Sequence, residues 1–276
     1  PPVVAKTGYT FAGWDPEVAA VTGDTTYTAQ WTAIDYAITF DANGGTGGEV
    51  QTVAFGTTPT PPTVAKTGYT FARWDPEIVA VTGDTTYTAQ WTVNSYSITF
   101  DANGGTGGEV QTLAFGTTPT PPTVAKTGYT FAGWNPEVAA VTGDTTYTAQ
   151  WTAINYTIAF DANGGTGGEV QTVAYDIVPT PPVVAKTGYT FAGWDPEVVA
   201  VTGDATYTAQ WTAIDYTITF DANGGTGGEV QTVAFGTTPT PPTVTKTGYT
   251  FAGWDSEIIA VTGDTTYTAQ WTVNSY

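Results

Sequence analysis

The sequence contains no cysteine, no histidine and no methionine, and only six basic side chains in 276 residues. Each absence excludes some chemistry. Without Cys there is no disulfide and no thiolate nucleophile. Without His or Cys there is no conventional zinc site, and neither a Ser–His–Asp nor a Cys–His system can be built. Five Lys and one Arg stand against 25 acidic residues, a net charge of -19. That balance argues against nucleic-acid binding, because phosphate recognition runs on Lys and Arg. It also repels the chain from anionic membrane surfaces. No stretch approaches the roughly 18 apolar residues of a membrane span, and no signal peptide or sorting motif is visible. The chain starts at Pro1 and stops at Tyr276 in mid-pattern, so it reads as a fragment of a longer polypeptide.

What is present is apolar and repetitive. Hydrophobic residues make up 41% and aromatics 14%, too much for a disordered acidic tail. The opening pattern, Pro1-Pro2-Val3-Val4-Ala5-Lys6-Thr7-Gly8-Tyr9-Thr10-Phe11, returns at Pro61, Pro121, Pro181 and Pro241, a period of 60 with no insertion or deletion. The copies are nearly identical, which implies recent duplication. Cutting before the strand pattern that follows Trp31-Thr32 gives a partial repeat at 1–32. Full repeats then follow at 33–92, 93–152, 153–212 and 213–272, and 273–276 begins another. The alternative is a cut at the Pro pairs. The first is preferred because the Pro-rich stretch reads as an internal crossing loop. Nothing resembling a flexible Gly/Ser linker separates the units.

Within 33–92, Tyr36, Ile38 and Phe40 alternate with Ala37, Thr39 and Asp41, the period of a half-buried strand. Asn43 to Gly48 is a turn, and Glu49 to Phe55 is a second strand, so 36–55 is expected to be a β-hairpin. The segment 56–62 carries Pro59, Pro61 and Pro62 and is expected to be an extended crossing. Tyr69 to Trp74 alternates again, with Tyr69 and Phe71 on one face. Thr85 to Thr92 is the last strand, with Tyr87, Ala89 and Trp91 on one side. Asp75-Pro76-Glu77 has the form of a helix start, but Ile78-Val79 are β-branched, so 77–81 reads as a short strand or one irregular turn. With 14 Thr in these 60 residues, β structure is favoured over helix.

Three stretches together resemble a known family: Tyr-x-Ile-Thr-Phe-Asp-Ala-Asn-Gly-Gly at 36–45, Pro-x-x-x-x-Lys-Thr-Gly-Tyr-Thr-Phe-Ala-x-Trp at 61–74, and Asp-Thr-Thr-Tyr-Thr-Ala-Gln-Trp-Thr at 84–92. In this order and spacing they are similar to the Listeria–Bacteroides repeat, or internalin-type B repeat. The likeness covers every unit. The second unit departs in having Arg73 where others have Gly, and the fifth has Ser256 where others have Pro. The resemblance implies a small β-rich module, similar to a β-grasp, strung in tandem on secreted or cell-wall-attached bacterial proteins as stalk, spacer or adhesion module. It supplies no catalytic residues. The fold class expected is therefore mainly β, a tandem array of small modules forming an elongated rod.

Several residues invite a site. Trp74 and Trp91 are either core or a sugar-stacking platform, and an exposed, coplanar pair would mark the second. Asp41-x-Asn43-x-Gly45 opens like a calcium loop, yet the twelfth position holds Thr52 where a bidentate acid is required. It reads instead as a turn with Asp41 bonding its own backbone. Lys66 raises an isopeptide crosslink, and Thr with Gln90 an ester. Both need buried partners, and a Lys at a loop entry is expected to be solvated. Asp75 and Glu77 are the one carboxylate pair, two residues apart beside a turn rather than across a cleft. Thr57-Thr58-Pro59-Thr60-Pro61 has the composition of an O-glycosylated segment. No catalytic, cofactor-binding or metal-binding residue is therefore assigned, and no cofactor is expected.

The expected function is non-catalytic: a stalk, spacer or fibre shaft of a bacterial extracellular surface protein, with neighbouring repeats, or other copies in a fibre, as partners. The alternative is a multivalent adhesin array for a glycan or host protein. No nucleic-acid partner and no membrane insertion are expected of this region. Only Val93-Asn94-Ser95 joins the last strand of one unit to the first strand of the next, so the joint should be stiff. At about 25–45 Å per unit, the array would span on the order of 110–200 Å.

Overall fold

A computed structural model describes residues 1–275; Tyr276, the end of the stretch read as a further repeat, lies outside them. Among the described residues all regular structure is β. They divide into two compact units, Pro1–Lys126 with Phe131–Gln150, and Thr127–Thr130 with the residues from Trp151 onward.

The first unit opens with a two-stranded piece, β1 (Tyr9–Asp15) and β2 (Thr28–Ala33), paired antiparallel. Next come β3 (Asp35–Asp41), β4 (Glu49–Ala54), β5 (Tyr69–Asp75) and β6 (Thr85–Val93), in one sheet of order β4-β3-β6-β5. The outer pairs are antiparallel hairpins. The central pair is parallel, with Ile38 opposite Thr85 and Phe40 opposite Tyr87. A parallel pair cannot be closed by a tight turn. Here the crossing is the Pro-bearing segment between β4 and β5, which is held to the hairpin turn by two backbone bonds between Thr46 and Ala65, at 2.8 and 3.1 Å. The same order recurs in β7 (Ser95–Asp101), β8 (Glu109–Ala114), β9 (Tyr129–Asn135) and β10 (Thr145–Ala153).

The second unit carries two more sheets of this kind. One is β11 (Asn155–Asp161), β12 (Glu169–Ala174), β13 (Tyr189–Asp195) and β14 (Ala205–Ala213). The other is β15 (Asp215–Asp221), β16 (Glu229–Ala234), β17 (Tyr249–Trp254) and β18 (Thr265–Val273). Both keep the parallel centre, Ile158 opposite Ala205 and Ile218 opposite Thr265.

Each four-stranded sheet has its own core. In the first, Ile38 and Phe40 from β3, Trp74 from β5, Tyr87 and Ala89 from β6, and Val81 from the β5–β6 connection are all buried. Phe40 stacks on Tyr87 at 5.3 Å and meets Trp74 edge-on at 4.9 Å. Such pairs add about 0.5–1.5 kcal/mol each beyond the area they bury. Phe160 and Phe220 make the same two contacts in the second unit. A small module with no disulfide is held by this aromatic trio, which is what its size demands.

The strands fall where alternation places them, with one departure. In β5 the register shifts between Phe71 and Arg73, a bulge that lets residues three apart meet on one face. Phe71 and Trp74, of opposite parity, therefore lie 5.5 Å apart. The connection 76–84 is neither strand nor helix. Nine residues between antiparallel neighbours leave little room for a stable helix. Its backbone is committed elsewhere: Gly56 N–H donates to Val81 O at 2.8 Å, and Val81 N–H to Thr57 O at 3.0 Å. This delivers Val81 into the core.

Candidate functional site

The most constrained geometry lies where one sheet hands over to the next. In the first unit, Asn94 sits between β6 and β7 and is bonded on both sides. Its N–H donates to Gly68 O at 2.9 Å, and its carbonyl accepts from Phe115 N–H at 2.9 Å. Phe115, one residue beyond β8, then lays its ring on Gly68 and faces Tyr69 at 6.3 Å. Gly68 has φ +78°, and a Cβ there would fall about 2.1 Å from the ring, so only glycine fits. The same set recurs around Ile34, with Phe55 on Gly8 and Tyr9. In the second unit Ile154 brings Tyr175 onto Gly128 and Tyr129, and Ile214 brings Phe235 onto Gly188 and Tyr189. At the last sheet Asn274 N–H bonds Gly248 O at 3.0 Å, and no described side chain lies on Gly248.

Sequence reasoning saw the short connection but missed the ring on the glycine. Gly68 reads locally as a turn residue, and Phe115 reads as the end of a strand. The only sequence signal is that an aromatic at the 55-type position and Gly-Tyr at the 8-type position recur together through the array.

The structure separates most residues the sequence singles out. Trp74 is 8% exposed and belongs to the core. Trp91 is half-buried, and its Nε1–H donates to Ala42 O at 3.0 Å. The two rings do not form an exposed coplanar pair. Phe71 lies against both, at 5.5 and 5.8 Å, and is the ring that reaches solvent. Asp41 Oδ1 accepts from Asn43 N–H at 2.8 Å, the self-bonded turn. Asn43, at φ 49°, donates Nδ2–H to Ala89 O at 3.0 Å and so ties the turn to β6.

The crosslink candidates are not assembled. Lys66 Nζ donates to the main-chain carbonyl of Asn43 at 3.0 Å and lies over the Tyr69 ring at 4.8 Å. Gln90 Nε2–H points to the main-chain carbonyl of Thr88 at 3.5 Å. Asp75 and Glu77 are both exposed. Among the described residues no group of three or more His, Cys, Asp or Glu converges as a metal site would require. One carboxylate the sequence did not single out has a defined task. Asp84 Oδ1 accepts from Ala37 N–H at 2.8 Å, pinning β3 to the start of β6. Asp144, Asp204 and Asp264 do the same for Ser97, Thr157 and Thr217. No described helix is long and apolar enough to cross a membrane.

The geometry defines a class: tandem four-stranded β modules, each with its own aromatic core. The family model of the Listeria-Bacteroides repeat domain matches residues 36–95, 96–154, 156–213 and 216–275, and the chain belongs to that family. The family found is a repeat domain, with no catalytic domain. Among relatives, the chain is 30% identical over 346 aligned positions to a protein of Evansella cellulosilytica whose name calls it a Gly-rich membrane protein, covering 99% of this chain and 40% of the relative. A second Evansella protein, named as a membrane protein, is 30% identical over 272 positions, with 83% and 40% covered. Internalin H of Listeria monocytogenes is 35% identical over 111 positions, 36% of this chain and 20% of that protein. The chain thus spans well under half the length of these relatives.

Proposed function

We propose that the chain is a non-catalytic structural region, a stalk, spacer or fibre shaft, of a bacterial extracellular surface protein, with the repeat boundaries at 33, 93, 153 and 213. The observation that carries this reading is the joint. The connecting residue is hydrogen-bonded to both neighbouring modules, and a ring of the later module is seated on a glycine of the earlier one. Tandem domains that only need to be near one another are usually joined by polar, flexible linkers. A joint with matched backbone bonds and a glycine-only contact suits a region that must hold a distance. The relatives named as membrane proteins and an internalin agree with a place at the cell surface. A spacer requires an extended particle. Small-angle scattering from 1–276 should give a maximum dimension on the order of 110–200 Å, and a value below about 80 Å would defeat the reading.

One observation favours a second role, a multivalent array for a glycan or host protein. Phe11, Phe71, Phe131, Phe191 and Phe251 are each 36–43% exposed, so this aromatic ring reaches solvent in every module. Measurable glycan or host-protein binding to 1–276, lost on replacing these Phe residues by Ser, would favour that role. Its absence in an extended particle would favour the spacer.

A further inference from the structure

Lys186 is the only basic residue in 153–212, and the fold fixes where its charge stands. Its Nζ donates to Asn163 O at 3.0 Å and lies over the Tyr189 ring at 4.8 Å, with the Trp211 ring at 6.0 Å. A cation held over aromatic faces in this way is attracted by the ring quadrupoles. Glycines at the neighbouring turn leave the space for it. Gly164 has φ +79°, and a Cβ there would stand 3.4 Å from the ammonium. A Cβ on Gly165 would fall 2.6 Å from Ala185 O and 2.8 Å from the Trp211 ring.

A cavity of about 450 Å³ opens beside this ammonium, lined by Thr166, Lys186, Thr187, Tyr189 and, from just past β16 in the next sheet, Phe235. Phe235 meets Tyr189 edge-on at 5.7 Å. No carboxylate lines the cavity, although the chain carries a net charge of -19. The hydroxyls of Thr187 and Tyr189 have no hydrogen-bond partner among the described residues. An ammonium has three N–H donors, and Asn163 takes one. Beyond Trp211, at 5.7 Å, lies Phe191, one of the rings that reach solvent. The first unit repeats the arrangement. Lys66 lies 3.0 Å from Asn43 O and over Tyr69, and Phe115 stands beside that ring.

We infer that the Lys186 cavity, and its counterpart at Lys66, bind a saccharide that carries a carboxylate, a hexuronate unit. The ammonium takes the carboxylate in a charge-assisted hydrogen bond. The Thr and Tyr hydroxyls take ring hydroxyls, and the Tyr and Phe rings take the apolar face of the sugar. The volume is within the about 300–1,000 Å³ usual for small-molecule sites. A bare inorganic anion would leave the aromatic walls unused, and a neutral sugar would leave the ammonium unused. One Lys suits a singly charged group. The inference rests on the second, ligand-binding role and gives it a chemical class and a site, and two such cavities on one chain would bind a polymer of these units with avidity.

The test uses the whole chain at about 0.15 M salt, where the Debye length is about 8 Å and the chain's distant charges are screened. The probes are tetramers of galacturonate and of glucuronate, and the methyl ester of each. In NMR spectra of the chain labelled at the lysine side chains, at least one acid should shift the Lys66 and Lys186 signals saturably. Lys6, which has no glycine turn beside it, should stay unmoved. By calorimetry the esters should bind at least about 10-fold more weakly, because the charge-assisted bond is lost. Lys186→Met should remove one equivalent of bound acid and leave the affinity of the remainder unchanged. The ester comparison needs no variant, so it decides the matter even if Lys186→Met misfolds. No binding of either acid, acid and ester bound alike, or a Lys6 shift as large as that of Lys186 would overturn the inference. So would equal binding of a short peptide bearing one Glu, since the cavity would then read a carboxylate alone. Acid and ester bound alike, with binding lost in Phe71→Ser and Phe191→Ser, would leave the array role standing while this site falls.

Discussion

Residues 9–33 and 129–153 have the same sequence except for Asp15 in place of Asn135. Their structures differ well beyond that position. The last strand runs nine residues in the later copy, Thr145–Ala153, and six in the earlier, Thr28–Ala33. Val141 is 2% exposed and Val21 is 75%. The difference is the hairpin, present beside one copy and absent beside the other. Strand length and burial here follow from what packs alongside rather than from the strand's own residues. This is the context dependence expected of β structure.

If that is correct, removing the hairpin's anchor should turn a complete module into an open one. Phe100→Ala deletes the ring between Trp134 and Tyr147 and should cost about 3–5 kcal/mol. Hydrogen exchange at 141–147 should rise toward that of 21–27. A rise spread evenly over the chain, or none, would break the comparison. The second effect concerns the joint. Gly68→Ala meets both a positive φ and the Phe115 ring, whereas Gly248→Ala meets the φ alone. The latter should cost about 1–2 kcal/mol. The former should cost more, with a lower melting temperature and faster exchange at Asn94 and Phe115. Equal losses would show the ring contributes nothing. The smallest effect separates the two copies by one hydrogen bond. Asp144→Ala should cost about 1 kcal/mol by denaturant melting, while Asp24→Ala should change stability by less than about 0.5 kcal/mol.

Much of this architecture is legible because alternation is legible. Tyr36, Ile38 and Phe40 announce a strand with one buried face, Asn43-Gly44 announces the turn, and Pro59 to Pro62 announce a segment that cannot sit inside a sheet. Less legible is anything decided between residues far apart. The bulge before Arg73 brings Phe71 and Trp74 onto one face where strict alternation would separate them, and nothing within 69–75 marks it except the glycine its sister copies carry there. Asp84 looks like an ordinary turn acid, and its partner Ala37 lies 47 residues away. The helix-like start at Asp75-Pro76-Glu77 was a local signal overruled by Val81, which the core and the 56–57 backbone hold in place.

Each module is two hairpin-like halves joined by a long crossing, and the halves of different modules are nearly interchangeable. A hairpin released from one module would find an acceptable seat in another. Beyond the two-stranded first piece, order of synthesis guards against that mistake. At about 5–20 residues per second, β6 emerges roughly 2–8 seconds after β4. During that wait the only hairpin without a seat is the one just made. The next is not yet translated, and the previous one is already shut inside its own sheet. Refolding from denaturant removes that queue and presents every hairpin to every seat at once. An array this uniform should therefore assemble more faithfully on the ribosome than in a test tube, and its errors should be whole-module misplacements rather than local slips.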